Sequence, residues 1–238
     1  ILGEARDAQV MRARLSALLA EQPAELVLGP VQQRIDEELL GDYRTAHAVI
    51  QEVLDENRLT PRDLGAVCVS AGPGSYTGLR IGVSSAKGIC YALGIPLVSV
   101  PTLLSMAALY YRQHPEYKGL VCPMIDARRM ECYTMMVAPG LDVLRPTAAD
   151  VITEGIFDEY LNRGEVTFIG DGAAKTRPLL GNHPNARFDD SFRLSAEGMI
   201  DLAAQRLADG KTEDVAYFEP FYLKDFVAKK SVVHGLRD

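Results

Sequence analysis

Several short segments of this 238-residue chain carry residue types whose spacing could do chemistry. Gly72-Pro-Gly-Ser-Tyr-Thr-Gly78 follows an apolar run and precedes a helix-forming stretch. Backbone N–H groups at such a helix start attract anions. A phosphate loop needs Lys and then Ser or Thr directly after its last glycine, and Leu79-Arg80 stand there instead. The dinucleotide fingerprint fails on spacing. A nucleophile elbow, G-x-S-x-G, fails because Tyr76 is central between Gly74 and Gly78. A tight structural turn is the favoured reading over phosphate binding. Asp126, Arg128, Arg129 and Glu131 offer acid and base side chains, but charges this close around a turn usually form a salt-bridged or solvated corner. Asp189-Asp190 reads as an exposed loop.

Metal chemistry has little to work with. His47 is the one histidine in a helical pattern, and Gln51, a poor ligand for iron or zinc, stands one turn on. His114, His183 and His234 lie in turn-like or terminal contexts. The spacing predicts no metal site. Cys68, Cys90, Cys122 and Cys132 include no C-x-x-C pair and read as free thiols, with Cys68 and Cys132 acting as small buried hydrophobes.

The elements that must position these residues alternate. Ala46, Val49, Ile50, Val53 and Leu54 follow the apolar spacing of an amphipathic helix. Leu64 to Ser70 reads as a strand, then a helix capped by Thr77 runs to Leu93 and ends at Gly94. Ile95 to Val100 is the next strand, so the unit predicts a parallel pair. A helix from Thr102 to Arg112 follows, then strands at Val121–Met124 and Met130–Val137 around the Asp126 turn. Val166 to Ile169 is a strand ending in Gly170-Asp171-Gly172, with a helix expected after it. Residues 195–209 have helical apolar spacing, and Val215–Leu223 reads as a docking segment. The class is α/β.

One helix face stands out. Gly78, Gly82, Ala86, Cys90 and Gly94 recur every four residues, a stripe of small side chains. A helical glycine costs about 0.5–1 kcal/mol relative to alanine, so close approach of a neighbour must offset it. That neighbour is either the chain's own sheet or a helix of another subunit.

Composition is that of a globular protein, 47% hydrophobic and 24% charged. The formal net charge of -7 makes the chain a poor holder of a polyanion on its own. No apolar leader and no run of membrane-span length is read, and a cytoplasmic location is expected.

Ser70 to Gly82, with Ser84-Ser85-Ala86-Lys87-Gly88 behind it, resembles the signature loop and helix of the TsaB (YeaZ) family. The resemblance continues through Pro101-Thr-Leu103, Pro123-Met-Ile-Asp126-Ala-Arg-Arg129, Phe168-Ile-Gly170-Asp-Gly172 and Glu219-Pro-Phe-Tyr-Leu-Lys224, covering about residues 45–228. It implies a two-lobed actin-like ATPase fold (Hsp70/sugar kinase-like), with mixed sheets flanked by helices. The lobes would be 1–105 and 106–212, with 213–238 docking back on the first. It implies a non-catalytic subunit, with no catalytic residues of its own. That subunit would pair with TsaD to support threonylcarbamoyl transfer to adenosine beside the anticodon in tRNA. TsaE completes the complex, tRNA is met only indirectly, and the chain alone forms a homodimer. The implied interface comprises His47, Ile50, Gln51, Leu54, Tyr76, Gly78, Leu79, Gly82, Val83, Ala86 and Cys90. Gly170, Asp171 and Gly172 would be an inherited, vestigial nucleotide loop, and ATP or ADP would sit at the partner interface. The competing expectations are a metallopeptidase or ATPase of the same superfamily and a homodimeric scaffold.

Residues 1–44 fall outside the resemblance. Asp7–Ala20 has helix formers and Ala24–Leu28 reads as a strand, where the family places its opening strands. Either this stretch has diverged, with tertiary pairing overriding propensity, or it is not the natural chain's own.

Overall fold

The computed structural model describes residues 48 and 50–223. The readings for Asp7–Ala20, Ala24–Leu28, His47 and His234 lie outside the described residues. Residues 50–56 are helical (α1). Strand β1 (Val67–Gly72) leads into α2 (Tyr76–Leu93) and then β2 (Leu97–Pro101). β1 and β2 pair in parallel, as a strand–helix–strand crossover requires. Helix α3 (Thr102–Gln113) follows β2 directly and reaches both sheets.

The second sheet is five-stranded and mixed, in the order β5-β4-β3-β6-β7. Its strands are β3 (Leu120–Asp126), β4 (Glu131–Ala138), β5 (Asp142–Val151), β6 (Val166–Ile169) and β7 (Ala186–Asp189). The β3-β4-β5 meander is antiparallel, whereas β3-β6 and β6-β7 are parallel. The parallel links run through α4 (Asp158–Leu161) and α5 (Ala173–Leu180). Helix α6 (Ile200–Ala208) closes the order, preceded by a 3-10 turn at Ala196–Met199.

Both faces of this sheet are covered, which is why its inner strands read as continuous apolar runs. Cys122, Met124, Cys132 and Met136 point to the α4–α5 side and pack with Phe157, Phe168 and Leu180. Val121, Met135, Val137 and Ile169 point to the other side and pack with Leu103, Met106 and Leu109 of α3. Period-2 alternation thus sorts neighbouring residues of one strand into two cores. The smaller sheet has its own cluster, in which Ala86, Cys90 and Leu97 pack with Val67, Val69, Val215 and Phe218.

The structure moves several sequence boundaries. Helix α2 is capped by Ser75, not Thr77, because the Ser75 hydroxyl accepts from Gly78 N at 3.3 Å. Gly94 ends the helix with φ +66°. Asp189 is the last residue of β7 and not loop, its Oδ1 bound by Ser191 N at 2.8 Å and Phe192 N at 3.2 Å. Val53 is exposed, whereas Leu54, which follows it, is buried.

Candidate functional site

The glycine turn between β1 and α2 is built against the far end of the chain. Gly72 has φ +106°, and a Cβ there would lie 2.7 Å from the Phe221 carbonyl oxygen. Phe221 N in turn donates to Ala71 O at 2.7 Å. The glycine is required because another backbone crosses it. Leu79 folds over the same turn, 3.7 Å from where a Gly74 Cβ would be. The Tyr222 ring lies against the Tyr76 ring, centroids 4.7 Å apart. Lys87 holds the segment just before this, with Nζ donating to Ala216 O at 3.1 Å and Phe218 O at 3.0 Å. Glu213 adds an anchor, accepting from Ser99 Oγ at 2.5 Å and Arg206 Nη2 at 3.1 Å. Residues 213–223 therefore lie along β2, α2 and the glycine turn.

The middle of the small-residue stripe of α2, Gly82, Ala86 and Cys90, faces the chain's own sheet, whereas Gly78 and Gly94 at its ends are exposed. A Cβ on Gly82 would be 3.8 Å from Val69 Cγ2 of β1. Ala86 and Cys90 are buried beside Leu97. Val83 and Leu54, also expected at the interface, are buried as well. A helix lying directly on a sheet needs the same small residues as a helix lying on a partner. Of the expected interface residues, Ile50 and Leu79 are half-buried, and Gln51, Tyr76 and Gly78 are exposed. Gln51 Nε2 donates to Asp55 Oδ1 at 2.9 Å. Tyr76 is 38% exposed, and Tyr91, at the other end of the helix, is 68% exposed.

The turn Gly170-Asp171-Gly172 meets the Asp126 corner. Gly170 has φ +97°, and a Cβ there would collide with the Met124 carbonyl oxygen. A Cβ on Gly172 would lie 3.0 Å from the Ile125 carbonyl carbon and 3.1 Å from Asp126 N. The Asp171 carboxylate accepts from Asp126 N at 2.9 Å. Lys175 Nζ reaches Asp126 Oδ1 at 2.5 Å and the carbonyls of Arg129 and Glu131 at 2.8 and 2.7 Å. The hydrogen bond from Lys175 holds the Asp126 carboxyl below the usual carboxylate range. Arg128 and Arg129 both take positive φ, 73° and 52°, to turn the corner. The charged quartet is a braced corner, with Asp171 and Lys175 as its struts. Among the described residues, no group of three or more His, Cys, Asp or Glu could hold a metal ion.

Two arrangements carried no recognisable sequence signal. Arg145 and Asp150 of β5 form a bidentate pair at 2.6 and 2.7 Å, and Thr134 Oγ1 also donates to Asp150. Burial pushes the Asp150 carboxyl up, but the Arg145 and Thr134 hydrogen bonds outweigh it and hold the group low. The second is a cleft bounded by Tyr110, Glu116 and Asp189, residues distant in sequence. All four cysteines are free thiols, with Cys68 half-buried and the others buried. Burial raises each, Cys132 to about 11, so none is a poised thiolate.

Comparison with known proteins adds to this geometry. The profile of the family described as "TsaD: tRNA N6-adenosine threonylcarbamoyltransferase" matches residues 44–231. A second profile, "CHAD domain", matches residues 1–74, including the stretch that the TsaB resemblance leaves out. The chain is 32% identical over 191 residues to the tRNA threonylcarbamoyladenosine biosynthesis protein TsaB of Escherichia coli, covering 77% of this chain and 81% of that one. To the Bacillus subtilis protein of the same name it is 39% identical over 89 residues, 37% of each chain. Among solved structures, YeaZ from Pseudomonas aeruginosa superposes with a TM-score of 0.66 at 24% identity, covering 76% of this chain and 84% of that one. The fold is the actin-like ATPase fold. The chain belongs to the TsaB (YeaZ) family of tRNA threonylcarbamoyladenosine biosynthesis proteins.

Proposed function

We propose that this chain is a non-catalytic subunit in tRNA threonylcarbamoyladenosine synthesis, pairing with the threonylcarbamoyltransferase TsaD. The observation that carries it is the alignment with Escherichia coli TsaB over 81% of that protein's length. The local chemistry is in keeping with a supporting role. At the Gly170–Gly172 turn, Asp171 is engaged by the Asp126 backbone, and both glycines face backbone. Gln51 occupies the position where a histidine would complete a two-histidine face with His47. The chain is acidic, with net charge -7, so tRNA is held by the partner. TsaE joins the complex, any ATP or ADP is bound jointly with the partner, and the assembly works in the cytoplasm. Docking uses the solvent-facing residues at the start of α2 and on α1, Tyr76, Gly78 and Gln51, with the buried stripe supporting them from within.

The test mixes the pure chain with TsaD from the same cell and measures mass by light scattering, then assays threonylcarbamoyl transfer to tRNA with TsaE and ATP present. A heterodimer, with no transfer by this chain alone and restored transfer in the mixture, is expected. Tyr76→Glu is expected to weaken the heterodimer at least tenfold. Transfer by this chain alone, or no association with TsaD, would overturn the reading.

A further inference from the structure

We draw no further inference here: the strongest candidate, the exposed aromatic patch that Tyr76 of α2 forms with Phe221 and Tyr222 of the tail segment, carries nothing because nothing in the structure shows what covers it.

Discussion

Replacing Gly82 by alanine separates the two roles that a small-residue helix face can play. Gly82 is well inside the 18-residue helix α2. The added methyl would meet Val69 Cγ2 at 3.8 Å, an ordinary van der Waals distance. The contact is weakly attractive, and the helix loses the cost of an interior glycine, about 0.5–1 kcal/mol. If the stripe rests on β1, Gly82→Ala stabilises the chain by that amount. For a protein of this size, that raises the melting temperature by about 1–4 °C. A leucine must place further carbons where the Val69 methyl stands, and overpacking of this kind costs about 1–3 kcal/mol. Urea unfolding of both variants at constant m-value, together with light scattering on mixtures with TsaD, gives the readout. The expected result is a higher midpoint for Gly82→Ala, a lower one for Gly82→Leu, and an unchanged heterodimer for Gly82→Ala. A Gly82→Ala variant with unaltered stability and a heterodimer weakened tenfold would refute inward packing and return the stripe to a subunit interface.

Lys87→Met removes both hydrogen bonds that fasten residues 216–218 to α2. The expected cost is about 1–2 kcal/mol, below the sum for two charged bonds because the site is partly open to water; hydrogen exchange should accelerate across 213–223 and leave β3–β6 unchanged. Gly72→Ala puts a Cβ at positive φ against the Phe221 carbonyl and should cost about 2–4 kcal/mol, detected as a fall in the urea midpoint. Asp150→Asn should lose about 1–3 kcal/mol at neutral pH through its broken pairing with Arg145. Asp150 is held below the ordinary carboxylate pKa of about 3.9, so its contribution is complete above that value and is lost as pH falls through its folded value. The parent should therefore keep its full advantage over Asp150→Asn in urea midpoint down to about pH 4 and lose it progressively below that value; a gap that persists unchanged as pH is taken well below it would remove the ion pair as its cause.

What was legible in the sequence was what local physics determines. Val166–Ile169 is buried on every residue and read as a strand with the right ends. The β3–β4 corner was legible because its polar run breaks two apolar ones, and α2 was legible through its closing glycine. The missed strands are the sheet's two edges. β5 is exposed along most of its length and carries Pro146, and β7 is four residues with charges at alternate positions. Edge strands can look like this because one side faces water and only one neighbour fixes their register, here β4 for β5 and β6 for β7. The Tyr110–Asp189 cleft was invisible for a related reason, since α3 and β7 meet only once the sheet order is set.

The glycines show where pattern reading leaves the neighbour open. Spacing reveals that a face is bare and is silent on what approaches it. In this fold each answer is internal: Phe221 O for Gly72, Val69 for Gly82, Met124 O for Gly170, and the Ile125–Asp126 backbone for Gly172. Ala86 and Cys90 are closed into the core they share with Leu97. The aromatic side chains that project from α2 are Tyr76 at its start and Tyr91 at its end. The tail segment reaches the same region, stacking Tyr222 on Tyr76 and leaving Phe221 about half exposed. The motif that identifies the family thus explains why the helix and tail sit where they do, with Gly72 turned against the Phe221 carbonyl and Lys87 holding the segment before it.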